Sequence, residues 1–293
     1  MDTQSLHAFL AVAESQSFSL AAETLHITQP AVSKRISALE KQLDCRLFDR
    51  IGRNVHLTEA GRALLPQCRR ILQDIKEAVR SIHDLQGEVS GRLSMGISHH
   101  IGLHRLPPVL REFSRRHPNV QLDIDFMDSE RAHDRILHGE MDLAVITLSP
   151  VADQQLLSFA VWEDPLMVIV AADHPLAKVE EVTPAMLSPY TAIPPGLNTY
   201  TGQIIKDLFD AQGLQMTIGM STNYLETIKV MVEIGLGWSI LPLTLVDDGV
   251  VALPLKGMPL SRTLGCVHHR SRSLSNAAQA FIALLEIEAN GQI

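Results

Sequence analysis

At 293 residues the chain exceeds one ordinary small domain and predicts about two, each large enough for its own core. Cys45, Cys68 and Cys266 stand far apart with no CxxC pair, which excludes a disulfide framework and a cysteine-based zinc site and fits a reduced, cytoplasmic setting. The net charge of −8 argues against a nucleic-acid partner for the chain as a whole, because phosphate contacts need Lys and Arg.

The charge is unevenly placed. Residues 1–92 carry 12 Lys and Arg against 11 Asp and Glu, and residues 93–293 carry 13 against 22, so the acidic excess lies outside the first third. A DNA reader at +1 would rest on a few well-placed cations doubled by dimerisation. The opening MDTQSLHAFLAVAESQ lacks the basic start and apolar run of a signal peptide. No window reaches the roughly 18 apolar residues of a membrane span.

Leu6, Phe9, Leu10 and Ala13 recur at helical spacing and predict a first helix ending near Ser15-Gln16-Ser17. Ser19 is the expected N-cap of a short second helix that buries Ala21, Ala22 and Leu25. Thr28 then caps a third helix with Pro30 in its first turn, where a missing N–H costs nothing. Val32, Ile36, Leu39 and Leu43 form its buried stripe. Its other face offers Gln29, Ser33 and Lys34 near the N-terminal end, where a helix in the major groove meets base edges. Solvated residues on an ordinary surface helix are the alternative. Beyond Cys45, the turn at Gly52 and the alternation Val55, Leu57 predict a two-stranded wing with Arg50 and Arg53 at its tip, placed for phosphate or minor groove, or else solvated loop arginines.

From Ser17 to Gly61 this segment resembles the winged helix-turn-helix of the LysR-type transcriptional regulators. The resemblance rests on Ala21-Ala22, Leu25, the hexad Thr28-Gln29-Pro30-Ala31-Val32-Ser33, Leu39-Glu40, Leu47-Phe48 and Leu57-Thr58-Glu59-Ala60-Gly61. It implies that Gln29, Pro30, Ser33 and Lys34 approach bases or backbone and that Arg53 reaches the DNA from the wing.

Thr58 is the expected N-cap of a long helix to about Leu85, stopped by Gly87. Along it Leu64, Cys68, Ile71, Ile75, Ala78, Ile82 and Leu85 make an a/d seam that wants a partner helix; packing on its own domain is the alternative. In the family this helix pairs across a dimer, and dimers often join into tetramers; the resemblance implies a homodimer or homotetramer on a pseudo-palindromic promoter site in double-stranded DNA, with RNA polymerase as a further partner and activation and repression both open.

The remaining chain alternates strands and helices. Strands are expected at Arg92 to Ile97, Val120 to Phe126, Asp142 to Ile146, Leu166 to Ala171, Tyr190 to Ile193, Thr217 to Met220, Ser239 to Pro242 and Arg262 to Val267. Helices are expected at His99 to Arg116, Arg131 to Gly139, Gly202 to Gln212, Leu225 to Ile234 and Ser275 to Glu288. The fold class is therefore α/β, with a parallel sheet covered on both faces and two Rossmann-like subdomains joined by two crossings around a cleft. The segment resembles the LysR effector domain, similar to periplasmic solute-binding proteins, through Leu106-Pro107, Phe113 to Pro118, Gly139 to Ala144, His174-Pro175-Leu176, Gly235-Leu236-Gly237 and Leu241-Pro242. The expected division is a DNA-binding domain at 1–58, a linker helix at 59–89 and an effector domain at 90–293, with subdomain I at about 90–161 and 266–293 and subdomain II at about 162–265.

Ligands of open α/β sheets sit beyond the carboxyl ends of strands. Those ends nominate Ser98, His99 and His100, then Asp128 and Ser129, then Thr147; subdomain II adds Pro195, Gly196, Asn198, Thr199, Thr201, Asn223 and Glu226. Hydroxyls and helix-start N–H groups there suit a carboxylate. Two histidines at the first position, and Thr147 where some relatives carry Arg, argue against an aromatic di-acid held by arginine. His100 and His104 lie four apart, at metal-ligand spacing on a helix. Two ligands do not make a site, and Asp128 or Glu226 could complete one only by folding, so no metal and no cofactor beyond a small-molecule effector is expected. An enzyme or solute-binding protein on the same scaffold finds no support in GxSxG, P-loop or HExxH motifs. A thiol redox sensor would need a cysteine between Cys68 and Cys266, and there is none.

Overall fold

A computed structural model of the chain describes residues 1–51, 54–84 and 87–291. It divides into two compact units, Met1–Gln86 with His138–Glu140 and Gly87–Leu137 with Met141–Ile293.

In the first unit, α1 (Thr3–Ser15) is capped by Asp2, whose carboxylate accepts from the Ser5 N–H at 2.8 Å. Helix α2 (Phe18–Thr24) is capped by Ser17, not Ser19, through a bond from the Leu20 N–H. Starting there places Phe18 inside the helix and in the core, where its ring meets Phe48 edge-on. Helix α3 (Gln29–Leu43) begins after Thr28 as expected, but the Thr28 hydroxyl makes no capping bond. Val32, Ile36 and Leu39 are buried, whereas Leu43, on the last turn, is exposed. Strands β1 (Phe48–Ile51) and β2 (Asn54–Leu57) pair antiparallel as a wing, with Arg50 opposite Val55. The wing's Gly52 and Arg53 lie outside the described residues, as do the side chain of Arg50 and the helix residue Leu85.

Helix α4 (Glu59–Asp84) starts at Thr58, whose hydroxyl accepts from the Gly61 N–H at 3.0 Å. It is not one continuous seam. Cys68 and Leu72 are buried in the core of this unit, with Leu64 and Ile71 beside them, so the first turns pack on their own domain. Ile75, Val79 and Ile82 remain 41, 56 and 66% exposed.

In the second unit, strands β3 (Gly91–Ile97), β4 (Val120–Phe126) and β5 (Leu143–Thr147) are parallel, in the order β4-β3-β5. Between β3 and β4 the expected single helix is two, α5 (His99–His104) and α6 (Pro107–Arg116). Pro107 and Pro108 have no N–H to continue the ladder of the helix before them, so α5 stops and α6 starts afresh with proline in its first turn. Helix α7 (Ser129–Leu137) leads into β5. Every residue of β5 is buried: Leu143 and Val145 face the cluster of Phe113 and Phe281, and Ala144 and Ile146 face that of Ala132 and Ile136. That two-sided burial is why β5 is apolar throughout.

The chain crosses between subdomains on two long strands, β6 (Leu156–Val170) and, near the end, β11 (Leu260–His269). Between them come helix α8 (Pro184–Leu187), strand β7 (Thr191–Ala192), helix α9 (Tyr200–Asp210), strand β8 (Thr217–Ile218), helix α10 (Leu225–Glu233), and strands β9 (Ser239–Pro242) and β10 (Val251–Leu253). Helix α11 (Asn276–Ala289), capped by Ser275, returns to subdomain I. The sheet is thus mixed: β9 and β10 pair antiparallel with β6, and β11 pairs antiparallel with both β5 and β6. Strand β6 begins ten residues before the apolar run at Leu166, because its first part has exposed residues and no apolar signature.

The β6/β11 ladder shifts register between Leu264 and Gly265. A Cβ on Gly265 would lie 2.1 Å from the Phe159 carbonyl oxygen, so only glycine lets the two strands approach there. Gly265→Ala is expected to lower stability by about 1–3 kcal/mol through backbone displacement, read as a lower midpoint in urea for the effector domain.

Candidate functional site

Two surfaces carry the candidate chemistry, one in each unit. On α3, Gln29, Pro30 and Lys34 are exposed and Ser33 is half-buried. Gln29 Nε2 donates to Ser33 Oγ at 3.1 Å, which lines the two polar groups along one edge of the first turns. Arg35, on the same helix, is instead held by Gln4 Oε1 at 2.9 Å. Lys34 has no ion-pair partner among the described residues and stays available to a phosphate or guanine. Arg53 lies outside the described residues, and of Arg50 only the backbone position in β1 is described.

In the second unit a cleft of about 460 Å³, open to solvent, is lined by Ser98, His99, His100, Ser129, Thr147, Pro195, Thr199, Thr201 and Asn223, all nominated from strand and helix ends. Gly196, Asn198 and Glu226 were nominated in the same way and do not line it. Gly196 instead shapes the wall: its N–H donates to Asn223 Oδ1 at 3.0 Å, and its carbonyl accepts from the Thr199 hydroxyl at 2.7 Å. A Cβ on Gly202 would lie 2.1 Å from that same Gly196 carbonyl oxygen, so the first turn of α9 sits tightly under the loop.

The hydroxyls are positioned by the backbone around them. The Thr147 N–H donates to Ser129 Oγ at 3.1 Å, leaving the Ser129 proton free for a ligand. Thr199 caps α9 by accepting from the Gly202 N–H. Asn223 Nδ2 donates to Asp128 Oδ2 at 2.9 Å, and the Tyr200 N–H donates to Glu130; both bonds bridge the subdomains. Burial raises the Glu130 pKa despite that bond. Met127, Asp128, Glu130, Leu225 and Arg262 complete the lining. Of these, Asp128 alone was named from the sequence.

Arg262 is the residue that sequence reading missed as a cleft group. It carries a buried guanidinium in a strand that otherwise reads as apolar, and this interruption was the available signal. Its Nε donates to Asp164 Oδ2 at 2.9 Å and its Nη1 to Thr201 Oγ1 at 2.8 Å. Asp164, fully buried, also accepts from Arg105 Nη2 at 3.2 Å. One carboxylate thus faces two guanidinium groups, of which Arg262 lines the cleft.

Residues 3–62 match the bacterial regulatory helix-turn-helix family model of the lysR type, and residues 86–289 match the LysR substrate binding domain. The chain belongs to the LysR family of transcriptional regulators. It is therefore a DNA-binding, ligand-responsive regulator rather than an enzyme, as its sequence implied. It is 31% identical over 289 residues to the RuBisCO operon transcriptional regulator of Allochromatium vinosum, covering 97% of this chain and 95% of that one. A partial match, 66% identical over 108 residues, reaches an uncharacterised HTH-type regulator of the ibpB-leuC intergenic region in Azotobacter vinelandii, covering 37% of this chain and 75% of that one. Among solved structures, full-length CbnR complexed with its target DNA matches with a TM-score of 0.69 at 22% identity, covering all of both chains, which shows a shared LysR fold. No helix among the described residues is long and apolar enough to cross a membrane.

Breaking a buried ion pair strands a charge in low dielectric. Asp164→Asn is expected to cost about 3–5 kcal/mol, measured as a fall in the thermal midpoint of the effector domain. An unchanged midpoint would show that water reaches Arg262 freely.

Proposed function

We propose that the chain binds a pseudo-palindromic promoter site as a homodimer or homotetramer, and that a small molecule bearing a carboxylate or comparable anion and neighbouring hydroxyls binds in the cleft and changes that assembly. The observation that carries the reading is the cleft itself. Hydroxyls of Ser98, Ser129, Thr147 and Thr199 line it together with the guanidinium of Arg262. A carboxylate ligand would gain charge-assisted bonds from such donors.

Dimerisation is supported by Ile75, Val79 and Ile82, exposed at spacings of four and three on the distal half of α4, a stripe suited to a second copy. Doubling the α3 surfaces also compensates for the nearly neutral charge of each N-terminal third. The site of action is the cytoplasm, and activation would proceed through RNA polymerase. A thiol-sensing role is disfavoured, because burial pushes the Cys68 thiol up to about 11 and that of Cys266 higher still, so neither supplies a thiolate at neutral pH.

The decisive experiment is a thermal-shift screen of small acids and hydroxy acids, repeated on Thr147→Ala and His100→Ala. A true effector stabilises the wild-type chain in a concentration-dependent way and loses at least half its shift in one of the variants; equal shifts in all three would remove the cleft assignment. On the DNA side, Lys34→Ala is expected to weaken promoter binding and to flatten the plot of log affinity against log salt by about one unit per lost phosphate contact. A Lys34→Ala protein with wild-type affinity and slope would take Lys34 out of the interface.

A further inference from the structure

We propose that His100, His104 and Glu226 form a binding site for a divalent transition metal of the zinc class, joining α5 of subdomain I to α10 of subdomain II. The site goes beyond the reading of the cleft and does not depend on which organic effector the cleft accepts.

The three donors are already together. His100 Nδ1, His104 Nε2 and Glu226 Oε1 lie within 4.8 Å of one another. His104 Nε2 is 3.0 Å from the carboxylate oxygen and His100 Nδ1 is 3.7 Å from the same atom. Tetrahedral bonds of about 2.0–2.1 Å to a zinc ion separate neighbouring ligand atoms by about 3.4 Å. The two separations from Glu226 bracket that value, and the two imidazole nitrogens stand within 4.8 Å of each other. The i, i+4 spacing on α5 stacks the two imidazoles on one side of the helix, with ring centres 4.9 Å apart.

A plain hydrogen-bonded cluster does not account for His100. The residue is 4% exposed, and its Nδ1 is buried without a hydrogen-bond partner, an arrangement that is costly unless something fills it. The separation of 3.7 Å to Glu226 is too long for a hydrogen bond, and Nδ1 is the nitrogen that faces the carboxylate. The opposite nitrogen is already occupied: Nε2 lies 3.2 Å from Thr244 Oγ1 and 3.8 Å from Asp164 Oδ2. A metal-bound histidine characteristically donates its other N–H to such an oxygen, fixing the tautomer that leaves the free lone pair on the metal. Here that tautomer puts the proton on Nε2 and the lone pair on Nδ1.

One carboxylate oxygen of Glu226 faces both imidazoles. His104 and Glu226 are each about one-third exposed, so an ion can enter from solvent and keep water or an effector oxygen in the fourth position. Two imidazoles and one carboxylate favour zinc, cobalt or nickel over the all-oxygen preferences of magnesium and calcium. The sequence spacing marked two of the ligands. The third comes from a helix more than a hundred residues away, brought over by the crossing strands.

The test uses the full-length chain freed of metal with a chelator and titrated calorimetrically with Zn²⁺ alone, then with Mg²⁺. Expected are one Zn²⁺ per chain bound in the micromolar range or tighter, no heat from Mg²⁺, and a rise in thermal midpoint with zinc. His104→Ala and Glu226→Gln, neither of which lines the effector cleft, should each weaken that event at least about tenfold while retaining the wild-type circular dichroism spectrum. Cobalt substitution should give the visible absorption of a tetrahedral site in the wild type and lose it in both variants. Zinc uptake in either variant within about threefold of wild type, a binding event equally strong with Mg²⁺, or no zinc uptake by the wild type would each overturn the assignment. His100 belongs to both sites, but Thr147 lines the cleft alone and His104 and Glu226 belong to the metal cluster alone, so Thr147→Ala on one side and His104→Ala and Glu226→Gln on the other tell failure of one reading from failure of the other.

Discussion

The ion pair between Asp164 and Arg262 is the constraint on which the effector domain is organised. The two residues face each other across the ladder of the crossing strands β6 and β11, where neither can reach bulk water. Their charges are tolerable only because each is hydrogen-bonded on more than one side. Asp164 draws in Arg105 from the break between α5 and α6, and Arg262 reaches Thr201 at the start of α9. One buried carboxylate therefore ties both subdomains to the strands that join them. Arg105 and Thr201 mark the two ends of that tie, and the effector cleft opens directly beside it.

This placement has a mechanical consequence. The subdomains are connected by two extended strands and by polar bridges across the cleft, Asn223 to Asp128 and Tyr200 to Glu130. Extended strands bend at low cost, whereas the bridges break and re-form as units, so the domain is suited to a small number of discrete openings. A ligand changes their balance only to the degree that it binds one opening better than another. The buried arginine favours whichever arrangement brings an anion nearest to it. On the proposed reading, the charge of Arg262 and the hydroxyls around it select the ligand.

In the DNA-binding unit the same economy appears in α4. A single amphipathic helix serves two purposes by turning its apolar residues to different partners along its length. Cys68 and Leu72 join the core that α1 shares with α3, and Cys68 Sγ lies against the Leu6 carbonyl of α1. Ile75, Val79 and Ile82 further along are exposed, and the hydrophobic effect favours their burial against another copy. Continuity of one helix would then couple the orientation of α3 to the way two chains meet.

Much of this was legible in the residues. The helices of the winged helix-turn-helix followed from local periodicity and from Pro30 near a helix start, and β5 from an unbroken apolar run, since both signals are carried by neighbours a few residues apart. Strand and helix ends named ten of the cleft residues for the same reason: where a strand stops is a local property. Other features arose from packing. Ser17 displaced Ser19 as a cap because Phe18 belongs in the core, Pro107 and Pro108 divided a helix that periodicity had joined, and α4 shared its seam between two surfaces that share one spacing. Gly196 proved a scaffold rather than a wall because its contacts come from Asn223 and Thr199.

Sequence by itself determined the family, the order of elements and the polar character of the cleft, because these depend on periodicity, caps and turn chemistry read over short windows. Only the tertiary structure decided that Arg262 meets Asp164, that Thr201 is drawn to the same guanidinium, and that Glu226 stands beside His100 and His104. Those pairings join residues 61 to 126 positions apart, and no local pattern encodes which distant side chains a bent pair of strands will bring within hydrogen-bonding range.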